Sequence, residues 1–192
     1  DVDMALVIED GLGDGDLGEM KELATELSPE WATKVSIFWA DRHFSTGRFP
    51  PLDRVDFIDY GMVLVESEAV RPNKPSLADI RTYLRGAPFQ NWANSAIVFA
   101  ALNSLEPKDH KSYLRAHLYP ARFIYSWATG QITSNDEAVA YIHEHCPVGL
   151  DVDLVARALQ IRRDARDPDA IFSDRNSLLC QVEACARQLP AE

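Results

Sequence analysis

Asp1-Val2-Asp3-Met4-Ala5-Leu6-Val7-Ile8 is the stretch from which the fold is read, because two carboxylates two apart open an apolar, partly β-branched run. Side chains alternate along a strand, so Asp1 and Asp3 share one face while Val2 and Met4 take the other. With a rise of about 3.3 Å per residue, the two carboxylates leave the backbone roughly 6.6 Å apart. That spacing lets them converge on one or two hard cations, and oxygen ligands of this kind suit magnesium. Asp-x-Asp recurs at Asp14 and Asp16 and at Asp151 and Asp153, in contexts that read as loop or helix start. The first pair stands apart because it opens a buried-looking strand, where charge needs a cation or a partner.

The Gly- and Asp-rich residues 9–18 that follow read as a polar loop. Over residues 16–27 the apolar side chains Leu17, Met20, Leu23, Ala24 and Leu27 recur at three and four, which predicts a helix with one buried stripe. Ser28-Pro29 ends it. Residues 34–39 predict a second strand, with Val35, Ile37 and Trp39 on one face and Lys34, Ser36 and Phe38 on the other. Residues 41–51 form a long aromatic and turn-rich loop of the sort that lines sites. A short helix over 52–60, carrying Asp53, Asp56 and Asp59, and a third strand over 62–65 complete the first half.

The composition changes around residues 67–75, where Arg71, Pro72, Lys74 and Pro75 mark a linker and the strand signals end. The boundary is placed between a first domain, 1–70, and a second, 71–192. In the second, every pattern is helical, over 76–85, 92–105, 108–129, 134–146, 150–166 and 175–189. Ser134 with Glu137 reads as a capping box, and Gly86 and Gly130 as helix ends. Pro120, inside the third of these, is expected to kink or split it. Tyr113, Leu114, His117, Leu118, Ala121, Ile124, Tyr125 and Ala128 form its broad apolar face, with His117 read as a core histidine. Arg122, a guanidinium in that stripe, needs a partner.

Charge and cysteine content bound the chemistry. The 192 residues carry a net charge of -11, with 16 Asp and Glu against 5 Lys and Arg over residues 1–70, and 14 against 14 over 71–192. An acidic lobe argues against nucleic acid, whose phosphate backbone is bound by positive charge, and suits metal ions or a cationic substrate. No apolar run approaches the roughly 18 residues of a membrane span. Cys146, Cys180 and Cys185 have neither disulfide-framework nor zinc-type spacing, which favours a reducing, cytoplasmic setting. His143-x-His145-Cys146 is better read as the end of a helix, where the dipole favours His, than as a metal cluster.

The order of these features resembles the nucleotidyltransferases of the aminoglycoside adenylyltransferase type. An Asp-x-Asp strand, two further strands, a linker and a helical bundle follow in that family's sequence. Its helix ending in Tyr-Ser, then Thr-Gly-x-Ile before the next helix, is similar to the stretch from Arg122 to Ser134, RFIYSWATGQITS. The resemblance implies an α+β fold, with an N-terminal nucleotidyltransferase-like mixed sheet with helices and then an all-α helical bundle. The family's Gly-Ser turn, which precedes the Asp pair, is then expected in a portion upstream of Asp1.

It also implies the reaction, magnesium-dependent transfer of a nucleoside monophosphate, AMP from ATP, to a hydroxyl of a small molecule such as an aminoglycoside-like cation. Asp1 and Asp3 take the places of the catalytic metal ligands. The family's third carboxylate is expected on the strand at 33–39, but Lys34, Ser36 and Phe38 there include no acid. Asp41, Asp53 and Asp56 are the nearby candidates. Trp39, Phe44 and Trp127 are candidate substrate contacts. The alternative is a nucleotide-binding or regulatory protein that keeps the fold with little or no catalysis.

Overall fold

In the computed structural model, residues 2–13, 15–32, 34–64 and 73–189 are described. The chain is α+β and divides into two compact units, Asp1–Pro75 and Ser76–Glu192.

In unit 1, β1 (Val2–Ile8) pairs in parallel with β2 (Val35–Asp41), and the crossover between them runs through α1 (Asp16–Leu27) and α2 (Pro29–Ala32). The register sets Asp3 opposite Ser36 and Ile8 opposite Asp41. β2 extends two residues beyond the predicted strand because Asp41 closes the turn that follows. Its carboxylate accepts from the backbone N–H groups of His43, Ser45 and Thr46 and from the hydroxyls of Ser45 and Thr46. The chain thereby folds back to give β3 (Gly47–Arg48), antiparallel to β2. At Gly47, φ is +101°, and a Cβ there would lie 2.3 Å from the Trp39 carbonyl oxygen, so only glycine fits this return.

Two expectations for this unit are corrected. The predicted strand over 62–65 is absent at Met62, Val63 and Leu64, which are exposed and unpaired with the sheet, while Val65 lies outside the described residues. The sheet's third strand is β3, in the stretch read as loop. The apolar stripe of α1 is not buried: Leu17, Met20 and Ala24 are half-buried, and Leu23 and Leu27 are exposed. A 3.6-residue period shows that a helix can present an apolar face, but burial needs an element opposite it. α3 (Pro51–Tyr60) starts on Pro51, whose missing N–H costs nothing at a first helical turn.

Among the described residues of unit 2, all the regular secondary structure is helical. It comprises α4 (Leu77–Arg85), α5 (Ala87–Ala100), a 3-10 turn (Pro107–Asp109), α6 (His110–Thr129), α7 (Asn135–His145), α8 (Val152–Arg163), α9 (Asp169–Phe172) and α10 (Ser177–Ala186). Capping boxes at Ser76 with Asp79 and at Ser134 with Glu137 satisfy the first free N–H groups of α4 and α7. α5 begins five residues before its predicted start, immediately after Gly86. Pro88 in its first turn removes an N–H that would have no helical partner anyway. Among the described residues, no helix is long and apolar enough to cross a membrane.

α6 is the central helix of this unit and touches α4, α5, α7, α8 and α10. Pro120 does not split it. A proline there leaves the carbonyl four residues earlier, that of Ala116, without its helical donor. The Trp92 indole N–H of α5 donates to that carbonyl at 2.8 Å. The Trp92→Phe variant keeps an aromatic ring against Tyr119 but orphans a buried acceptor, so it is expected to lose about 1–3 kcal/mol of stability. Urea unfolding followed by circular dichroism measures this, and a wild-type midpoint would show that another group satisfies Ala116.

His117, read as a core histidine, is fully buried, with its ring edge-on to Tyr113 at 4.7 Å. Neither ring nitrogen has a hydrogen-bond partner among the described residues. Burial is the main cause that pushes its imidazole down to about 4, with Asp174 and Asp151 opposing and Arg157 reinforcing the shift. The unfolded chain therefore takes up a proton near the ordinary pKa of about 6.5 while the folded chain resists it. Stability from this group is fully present above about pH 6.5 and is lost as pH falls through the window toward 4, by up to about 3 kcal/mol. Urea midpoints from pH 7.5 to 4.5 should fall more steeply in the wild type than in His117→Leu. Equal slopes would assign the acid sensitivity to other groups.

The reading of Arg122 is corrected. The residue is exposed, so it lies off the buried stripe rather than within it; Ala128, also assigned to the stripe, is exposed too.

Candidate functional site

The acidic strand edge is built from β1 and its parallel neighbour. Residues paired across parallel strands project to the same face, so Asp3, Ala5 and Val7 share a face with Ser36, Phe38 and Ala40. Asp3 is exposed, which corrects the buried setting expected for the pair, and among the described residues no hydrogen bond or ion pair occupies its carboxylate. Asp1 lies outside the described residues. The position beside Asp3 on β2 is the exposed Ser36, which brings a hydroxyl and no charge.

The three candidates for a further carboxylate differ in what holds them. Asp41 is buried at the end of β2, and its two oxygens already accept five hydrogen bonds from residues 43–46. The Ser45 hydroxyl and backbone, followed by Thr46 and His43, hold this carboxyl far below the usual range against the opposing effect of burial. A carboxylate offers about four lone-pair sites, so Asp41 serves the turn and has little left for a cation. Asp53 and Asp56 are half-buried on α3, and both already interact with other groups. Asp59, on the same helix, is ion-paired with Lys74 at 2.6 Å.

The aromatic candidates are packed rather than presented. Trp39 is half-buried beneath the turn at Gly11, where a Cβ would meet the Trp39 ring at 3.2 Å. Phe44, at φ 54°, stacks on Phe49, which meets Phe57 of α3 edge-on at 5.5 Å. Trp127, in unit 2, is buried on α6 against Phe123, and its carbonyl accepts from Arg81 Nε at 2.9 Å.

Of the other Asp-x-Asp pairs, Asp14 lies outside the described residues, and Asp16 and Asp151 serve helix starts. Asp16 accepts from the Gly13 N–H at 2.7 Å, and Asp151 caps α8 by accepting from the Leu154 N–H at 2.9 Å. His143, His145 and Cys146 do not converge: the His145 ring lies on Tyr141, and the Cys146 thiol donates to the His143 carbonyl. Sequence reasoning passed over a different set. His110, Asp167 and Asp169 bring three donor atoms within 4.8 Å of one another. Asp167-Pro168-Asp169 has the Asp-x-Asp spacing, but the histidine it meets lies far away in sequence, on α6.

Fold and site thus define an α+β chain with an exposed carboxylate on β1, an edge strand of the sheet among the described residues, followed by a helical unit. A scan against protein-family models finds no match, and searches of curated proteins and of solved structures find no significant one.

Proposed function

We infer that this chain transfers a nucleoside monophosphate, AMP from ATP, to a hydroxyl of a small molecule, with Asp1 and Asp3 as magnesium ligands. The observation that carries this reading is Asp3, an exposed carboxylate with no competing partner among the described residues, on the first strand of a parallel pair. It is supported by the resemblance of residues 122–134 to the Tyr-Ser and Thr-Gly-x-Ile stretch of the adenylyltransferases. The donor set of Asp3 fits a hard cation, since carboxylate oxygen is magnesium's preferred ligand. Bound there, magnesium would neutralise charge on the triphosphate. Asp3 itself supplies a fixed negative charge on a strand, which positions better than a loop does. Asp53 and Asp56 remain the candidates for a third carboxylate, because Asp41 is committed to its turn.

A second reading, a nucleotide-binding protein with little or no turnover, is favoured by two observations. Ser36 rather than an acid stands beside Asp3, and the nearest acid at the end of β2 is saturated. The two readings separate in one experiment, pyrophosphate release with ATP, magnesium and a panel of amino sugars and other hydroxyl compounds, run beside thermal shift with ATP and magnesium alone. Acceptor-dependent release supports transfer. A thermal shift without release supports binding, since ligand at 100 times its Kd stabilises by about 2.7 kcal/mol. Neither signal would overturn both.

A further inference from the structure

His110 is the first residue of α6, and its imidazole is largely enclosed, with 22% of the side chain exposed. Asp167 lies in the turn that leads into α9, and Asp169 is the first residue of α9. The His110 Nε2 atom stands 3.8 Å from Asp167 Oδ1, and one oxygen from each carboxylate and a ring nitrogen all lie within 4.8 Å of one another. The arrangement is held from both sides. The backbone N–H of Asp169 donates to Asp167 Oδ1 at 3.0 Å, which holds the Asp167 carboxylate against the start of α9. One turn along α6 from His110, the Tyr113 hydroxyl donates to the Ile171 carbonyl at 3.1 Å in a buried bond that ties α9 to α6.

We propose that His110, Asp167 and Asp169 bind one divalent transition-metal ion of the zinc class, which clamps the α9 turn to the start of α6. The chemistry of the donors selects this class. An imidazole nitrogen suits zinc and its neighbours and is a poor ligand for magnesium or calcium, while two carboxylates balance the charge of a divalent ion. Three protein ligands with water completing the shell is a known zinc arrangement, with metal–ligand distances of about 2.0–2.2 Å. Donors bound at that distance in a tetrahedron sit about 3.4 Å apart, so the His110–Asp167 pair, at 3.8 Å, and the whole set, within 4.8 Å, would draw together on the ion by side-chain rotation. An isolated His110–Asp167 ion pair makes no use of the second carboxylate, Asp169, that stands with it.

That difference sets the test, made on the full chain under reductant so that the three thiols stay free. Zinc is titrated by calorimetry, and melting temperature is followed with and without zinc, in the presence of excess magnesium. The wild type is expected to show one saturable zinc event that magnesium does not displace and that raises the melting temperature. His110→Ala and Asp169→Asn should each weaken it by about 100-fold or more, beyond the 10–100-fold that changes behind the ligands cost. His143→Ala/His145→Ala, Cys146→Ala, Cys180→Ala and Asp3→Asn should keep it, which excludes those residues as the donors. Because Asp169 is exposed, Asp169→Asn tests the site even where His110→Ala fails to fold. Zinc binding at wild-type strength in Asp169→Asn, or no saturable zinc event in the wild type, overturns the proposal.

Discussion

Replacing Phe123 with Ala is expected to remove about 3–5 kcal/mol from the stability of the helical unit, the range for emptying a large aromatic site. Phe123 is 1% exposed and sits at the middle of an aromatic run. Its ring lies 5.6 Å from Phe89 of α5, 5.9 Å from Tyr119 and 5.8 Å from Trp127, the last two one turn before and after it on α6. Removing it leaves a void that backbone movement cannot close, because the void is walled by a helix that touches five others. Melting temperature should fall by roughly 10–25 °C, by the usual relation between stability and melting for a unit of this size. Tryptophan fluorescence during urea unfolding reports it, since Trp92 and Trp127 both lie in this unit. Phe123→Leu, which keeps more of the volume, should lose much less. A loss under about 1 kcal/mol in Phe123→Ala would mean that the aromatic run does not form the core described.

Asp3→Asn is expected to lower acceptor-dependent pyrophosphate release by about a thousandfold, a loss of about 4 kcal/mol in transition-state stabilisation. The substitution keeps size and hydrogen-bonding capacity but removes the charge that a hard cation needs. Asp3 is exposed and unpaired among the described residues, so its melting temperature without ligand should stay within experimental error of the wild type. This combination, unchanged fold and lost turnover, separates a ligand from a structural residue. Turnover at the wild-type rate would remove Asp3 from the site, and an altered melting temperature without ligand would give it a structural role instead.

Much of the fold is legible in local sequence. A period of two marked β1 and the core of β2, and a period near four marked the helices of unit 2, because each pattern reflects a single backbone geometry. Ser134 with Glu137 and the positive φ of Gly130 follow from chemistry within a few residues. The site was legible only as residue types. Asp3 is read from its place in a strand, but spacing says nothing of whether Asp41, Asp53 or Asp56 has lone pairs to spare.

The tertiary structure decided what depends on residues far apart in the chain. Pro120 is harmless to α6 because Trp92, twenty-eight positions earlier, feeds the carbonyl it strands. Asp41 is withdrawn from metal binding because the turn after it folds back to form β3. The stripe of α1 is only partly covered among the described residues, because periodicity specifies a face and not its partner. His110 meets Asp167 and Asp169 only because α9 docks beside the start of α6. Local propensity fixes which backbone geometry each segment takes, whereas hydrogen-bond saturation, burial and ligand convergence are properties of neighbours that only the folded chain brings together.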